Sequence, residues 1–183
     1  MYFVLRDGLY VDATATRTTF RDFMDGRFEA LPGETPRMAD WDLHLTTLFP
    51  EVRLKRFLEM RGADGGPWSS LCALPALWVG LLYDPVALDA AWDLVKGWEP
   101  ADRDHLRVEV PRTALRTAHR RGTVRDLAER VLEIATEGLR RRGRLDHRGR
   151  DENHHLDPLR EVAESGVTPA EDHLASFHGP WNG

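Results

Sequence analysis

Apolar and polar positions divide the chain into an early region with the two-residue alternation of strands and a later one with the wider spacing of helices. The opening MYFVLRDGLYVDA reads as two short β-runs around Asp7-Gly8, because glycine after aspartate supplies the positive φ of a tight hairpin turn. A short helix is predicted from Thr19, whose hydroxyl can cap it while Phe20 and Phe23 form an apolar edge, until Leu31-Pro32-Gly33 breaks the pattern. Asp40 can cap a second short helix through Leu48, closed by Pro50. Residues 51–61 then read as one strand, since Val52, Leu54, Leu58 and Met60 alternate onto one face.

Beyond that strand the spacing turns helical. Helices are predicted over 67–83 with a bend near Pro75, and over 85–96, 100–108, 123–142, 154–164 and 169–177. Prolines recur in their first turns, where a missing N–H costs nothing. Val124, Leu127, Val131, Ile134 and Leu139 make an apolar stripe along the fourth of these. Residues 140–151, rich in charge and glycine, read as a mobile loop. The fold class is therefore α+β, with strands and short helices over 1–61 and a mainly helical region over 67–183. So few strands do not make an independently stable sheet, so the sheet is expected to be incomplete in this chain.

Composition narrows the function classes. A length of 183 residues with 42% hydrophobic and 30% charged residues suits a soluble globular domain that needs no disulfide or structural metal. A formal net charge of -5 leaves no global basic field for a nucleic-acid backbone, so nucleic acid is not an expected partner. The longest apolar run, 71–83, is short for a membrane span and contains Pro75, so no membrane partner is expected either. The one cysteine, Cys72, can form no internal disulfide, and the first residues show no secretory leader; both point to a reducing, cytoplasmic setting.

Side chains alternate across a strand, so Arg53, Lys55, Phe57, Glu59 and Arg61 share the face opposite the apolar one. Alternation leaves two accounts of that charged face open. A solvated face of paired ions is the commoner fate of such a pattern and adds little stability. The chemical alternative is that Mg²⁺ takes hard oxygen ligands and a transferring phosphoryl group takes cations, and Glu59 and Arg61 supply one of each, two residues apart.

The stretch DWDLHLTTLFPEVRLKRFLEMRGADGGPW, residues 40–68, resembles the signature of glutamate-cysteine ligase of the plant and proteobacterial type. The resemblance continues through LCALPALWVGLLYD at 71–84, TPAE at 168–171 and HGPW at 178–181, with TFRDF from Thr19 and LPGE from Leu31 before it. It implies a glutamine-synthetase-like fold, whose curved antiparallel sheet holds ATP, metal ions and the amino-acid substrate. It also implies an ATP- and Mg²⁺-dependent ligase that makes γ-glutamylcysteine from glutamate and cysteine through a γ-glutamyl phosphate, the first step of glutathione biosynthesis. On that resemblance Glu59 is the metal ligand and Arg61 the catalytic phosphate contact, while Arg53 and Lys55 are nucleotide-binding candidates by their shared face.

The resemblance places this chain at the C-terminal portion of a longer enzyme, so further metal carboxylates and much of the substrate site are expected in an upstream half or subunit. Cys72 resembles one member of a regulatory cysteine pair whose partner is not in this chain, and the region 13–30 has no cysteine for a second pair. Two alternatives remain: a noncatalytic helical interaction module, and an ATP-dependent ligase with another amine acceptor. The segment 62–66 lacks phosphate-loop spacing and reads as a strand exit. Trp68, Trp78, Trp92 and Trp98 read mostly as core, His154 and His155 as diverging surface histidines, and Cys72 as a buried, inert thiol. Arg140, Arg141, Arg142 and Arg144 read as cations opposing a helix C-terminus.

Overall fold

The computed structural model describes residues 1–179 and Trp181; Pro180 of the HGPW motif lies outside the described residues. The chain forms two compact units, Met1–Ala63 and the part from Asp64 onward. The elements are short antiparallel hairpins and many helices, the α+β class expected from the spacing.

In the first unit, β1 (Phe3–Arg6) and β2 (Leu9–Asp12) pair with Phe3 opposite Asp12 and Arg6 opposite Leu9. Asp7 and Gly8 turn the hairpin at φ 51° and 79°, the left-handed pair that matches the twist of the flanking strands. Val4 and Val11 point inward, where Val4, Ala13, Phe23 and Phe28 form a small core. The opposite face carries Phe3, Tyr10 and Asp12 and stays outside that core.

Helix α1 (Phe20–Met24) starts at Thr19 as expected: the Thr19 hydroxyl accepts from the Asp22 N–H, and the Asp22 carboxylate accepts from the Thr19 N–H. Helix α2 (Met38–Thr46) begins before Asp40 rather than at it. Asp40 lies in its first turn, where its carboxylate accepts the Arg37 N–H at 2.8 Å. The two nitrogens Nη1 and Nη2 of Arg6 reach the same carboxylate at 2.7 and 3.1 Å, and Nε meets Glu34 at 2.8 Å. Burial pushes the Asp40 carboxyl up, but these bonds outweigh it and hold the group below its ordinary range.

The single strand expected over 51–61 is instead a hairpin, β3 (Val52–Leu54) and β4 (Leu58–Met60), turned by Lys55, Arg56 and Phe57. Leu54 faces Leu58 and Val52 faces Met60. The odd-numbered turn preserves parity, so the apolar and charged faces survive the change of topology. Within its unit the apolar face is uncovered: Val52, Leu54 and Leu58 are 45%, 79% and 58% exposed. Among the described residues the strands form separate two-stranded ladders, and no larger sheet joins them.

The second unit opens with a 3-10 turn at Trp68–Ser70, followed by α3 (Ala73–Leu82) and α4 (Pro85–Val95). The irregularity falls at Leu71 and Cys72 rather than near Pro75, because Pro75 occupies the first turn of α3. Helix α5 (Pro100–Thr113) runs past the expected end at 108 and carries Pro111 inside. A small hairpin, β5 (Ala118–His119) with β6 (Gly122–Thr123), leads into α6 (Val124–Arg142), which Thr123 caps and Gly143 ends at φ 61°. After a 3-10 turn at Glu152–Leu156 come α7 (Asp157–Ser165) and α8 (Pro169–His178).

The core of this unit gathers Leu81, Ala87, Leu132, Ala135, Leu139 and Leu156 where α3, α4, α6 and α7 meet. Gly80 and Gly138 let α3 and α6 approach with backbones touching: a Cβ on Gly138 would sit 1.9 Å from the Gly80 carbonyl oxygen. The glycine-rich, charged segment after α6 is a hydrogen-bonded turn around Asp146, whose carboxylate accepts the N–H groups of Arg148 and Arg150 at 2.7 and 2.9 Å.

Candidate functional site

Local topology brings three of the four sequence-derived residues together. Arg53 and Glu59 are direct cross-strand partners in the β3–β4 ladder. Nε and Nη2 of Arg53 each lie 2.7 Å from Oε2 of Glu59. Arg61, just beyond β4, places its Nε 3.8 Å from the same oxygen, and its guanidinium lies 5.9 Å from the centre of the Phe49 ring. Its backbone N–H donates to the Glu51 carbonyl at 2.7 Å, extending the ladder past Met60. Lys55 sits exposed in the turn.

This cluster differs physically from the Arg6–Asp40 pair. Arg6 and Asp40 side chains are only 13% and 5% exposed, so their pairing replaces lost hydration and is structural. The Arg53, Glu59 and Arg61 side chains are each about one-third exposed, and ion pairs so solvated contribute about 0–1 kcal/mol. Their guanidiniums can therefore leave Glu59 for another anion at small cost. All the close guanidinium contacts fall on Oε2, which leaves Oε1 as the atom through which Glu59 could meet a cation.

The residues fit a phosphate group better than a whole metal shell. Two arginines beside Glu59, with a lysine in the adjoining turn, match phosphate oxygens, which take charge-assisted bonds from guanidinium. Magnesium takes several oxygens, and Glu59 supplies a single carboxylate. Among the described residues no group of three or more His, Cys, Asp and Glu side chains could hold a metal ion. Any magnesium bound by Glu59 thus needs further oxygens from elsewhere.

Each unit also carries a groove. In the second unit a groove of about 690 Å³ runs between α4, α6 and α7 over Ala87 and Ile134, rimmed by Glu137, Arg141 and Arg160. Those rim charges already have partners: Arg141 meets Asp84 at 2.9 Å and Glu137 at 3.9 Å, and Arg160 donates to Thr136 at 2.8 Å. In the first unit a groove of about 570 Å³ lies between the outer face of β1–β2 and the segment after α2, with Tyr10 and Phe49 on its walls. Sequence reasoning missed this groove. Its signal was the alternation in MYFVLRDGLYVDA, which puts Tyr10 and Asp12 on the face opposite Val4 and Val11.

Several bland assignments change. Cys72 is exposed rather than buried, since it lies in the link ahead of α3. Trp68 and Trp92 are 87% and 61% exposed and do not belong to the core; Trp78 packs against it, and Trp98 meets His119 edge-to-face at 4.5 Å. His154 and His155 are half-buried in the 3-10 turn and, rather than diverging, bring their rings 3.9 Å apart. Arg140, Arg141 and Arg142 do close the last turn of α6, with Arg142 also over the Tyr83 ring at 5.6 Å.

A sequence profile described as glutamate-cysteine ligase family 2 (GCS2) matches residues 1–183. The chain is 52% identical over 181 residues to the chloroplastic glutamate–cysteine ligase of Brassica juncea, covering 99% of this chain and 34% of that protein. It is 52% identical to the chloroplastic enzyme of Arabidopsis thaliana over the same length, covering 33% of that protein. It is 51% identical to glutamate–cysteine ligase A, chloroplastic, of Oryza sativa subsp. indica over 184 residues, covering 35% of that protein. The chain thus spans about a third of the length of the curated relatives it matches. The chloroplastic names of these relatives overturn the expected cytoplasmic setting. A single thiol separates reducing from oxidising compartments, and a reducing compartment need not be the cytosol. The chain belongs to glutamate-cysteine ligase family 2.

Proposed function

We propose that this chain supplies the phosphate-handling hairpin of an ATP- and magnesium-dependent ligase that joins the γ-carboxyl of glutamate to the amine of cysteine. The observation that supports it most is the one-third-exposed Arg53–Glu59–Arg61 cluster, held on one hairpin face in a chain that the family profile matches over its length. In this reading a γ-carboxylate oxygen attacks the terminal phosphorus of ATP and ADP leaves. The neutral amine of cysteine then attacks the acyl carbon, inorganic phosphate leaves, and the amine sheds a proton.

Arg61 contacts the phosphoryl oxygens, and Phe49 beneath its guanidinium keeps it from swinging away. Arg53 exchanges its bond to Glu59 for a nucleotide phosphate, and Lys55 adds a point charge at the turn. Magnesium, when bound, offsets phosphate charge; Glu59 offers it Oε1. The remaining metal carboxylates and much of the substrate site belong to polypeptide outside these residues, as the one-third coverage of the relatives supports.

The test is calorimetric titration of the chain with Mg-ADP and with tripolyphosphate. Charge-assisted bonds of this kind contribute about 1.5–3 kcal/mol, so Arg61→Gln is expected to weaken both ligands about tenfold or more. Equal binding by the variant would remove Arg61 from the phosphate role. Turnover by the chain alone is expected to be slight, and robust ADP formation from a homogeneous preparation would sink the view that carboxylates elsewhere are required.

A further inference from the structure

We propose that the Glu59 carboxylate is a built-in stand-in for a phosphate oxygen: it holds the arginines of the β3–β4 hairpin while the site is empty and competes with the incoming polyphosphate. The proposal rests on the phosphate reading of this hairpin and adds a regulation to it. Two guanidiniums converge on one oxygen. Nε and Nη2 of Arg53 each lie 2.7 Å from Oε2 of Glu59, and Nε of Arg61 lies 3.8 Å from the same atom. Cations gather in this way on the oxygens of a phosphoryl group.

The geometry favours the exchange. Arg53 directs two donors at one carboxylate oxygen, whereas the guanidinium fork is matched best by two oxygens, which a phosphate group presents. The three side chains are each about one-third exposed, so water reaches the pair and eases its opening. Arg61 has its guanidinium over the Phe49 ring and its N–H on the Glu51 carbonyl, so it meets phosphate where it stands while Arg53 turns away from the carboxylate. Glu59 cannot follow, because it is the direct cross-strand partner of Arg53 and the ladder fixes its position. Its charge therefore stays beside the bound phosphate, and the like charges repel. Removing this carboxylate should strengthen metal-free polyphosphate, the opposite of what losing a binding residue does.

The test is calorimetric titration of the chain with metal-free tripolyphosphate in about 0.15 M salt, which screens charges farther than about 8 Å away. Glu59→Gln is expected to strengthen binding about three- to fivefold, the affinity equivalent of one solvated ion pair. Glu59→Ala is expected to do the same, and a gain in affinity is not an outcome of misfolding. In an Arg53→Gln background the gain from Glu59→Gln is expected to fall below twofold, because no Arg53 remains for the carboxylate to hold. If Arg61→Gln weakens tripolyphosphate while the Glu59 variants bind no more tightly than the parent, the stand-in is wrong and the phosphate reading survives. A gain of equal size with and without Arg53 also overturns the stand-in, since it reports only the loss of a negative charge. Binding that neither Arg53→Gln nor Arg61→Gln weakens, or that is absent throughout, removes the phosphate reading and the proposal with it.

Discussion

Placing a methyl group on Gly138 should push α3 and α6 apart. A Cβ there falls 1.9 Å from the Gly80 carbonyl oxygen and 3.0 Å from Cβ of Ala87, whereas ordinary van der Waals contact begins near 3.4 Å. The struck atom is backbone, so no side chain can swing aside, and the helices must separate by about 1–1.5 Å. A gap of that size forfeits a quarter or more of the dispersion between the facing atoms, which here include Leu81, Leu132 and Ala135. Overpacking costs about 1–3 kcal/mol and belongs at the upper end when backbone is struck. Alanine recovers about 1 kcal/mol of helix propensity. The net expectation is a loss of about 2 kcal/mol, a fall of about 4–8 °C in Tm for a chain of this size. Thermal and urea unfolding followed by helical circular dichroism would read it, with Gly97→Ala as control. The control Cβ meets only the flexible end of Arg120 at 3.7 Å and should stay within about 0.5 kcal/mol of the parent. If Gly138→Ala melts with that control, the helix crossing is not the close contact described.

Arg6→Met should destabilise the first unit by about 3–5 kcal/mol, because it strands the buried Asp40 carboxylate. Urea unfolding followed at Trp41 checks this, and Arg6→Met with Asp40→Leu should recover most of the loss. Glu171 is held down to about 2 by the Thr168 N–H, then by Arg116 and the Thr168 hydroxyl. A depressed carboxyl stabilises the fold above its unfolded value and loses that contribution as pH falls through the folded one. Its carboxyl resonance should therefore titrate near 2, with fraying of the α8 start below about pH 4; a midpoint near the ordinary glutamate value would contradict the cap.

Much of the local structure was legible because single residues carry it. Asp7-Gly8 announced a hairpin, Thr19 announced a helix cap, and Pro85 and Pro169 opened helices where their missing N–H is harmless. The β3–β4 turn was not legible, since Lys55-Arg56-Phe57 contains none of the residues that usually mark a turn. Its odd length still preserved parity, which is why Arg53, Glu59 and Arg61 share a face as expected, whereas Lys55 and Phe57 fall in the turn. The β5–β6 hairpin was hidden for the same reason: Arg120 holds a left-handed φ of 52° without being glycine or asparagine. The exposure of Trp68, Trp92 and Cys72 was illegible because apolar character does not say which helix face meets a partner. The direct Arg53–Glu59 contact required the register, which only the folded ladder supplies.

The most direct measurement exchanges these 183 residues for the matching third of the Brassica juncea enzyme and follows ADP and γ-glutamylcysteine formation from Mg-ATP, glutamate and cysteine. The chimera is expected to form both products in equal amounts, with Glu59→Gln and Arg61→Gln each cutting kcat by about a hundredfold or more while leaving the melting temperature unchanged. A chimera that turns over normally with either substitution would contradict the assignment of this hairpin to metal and phosphate.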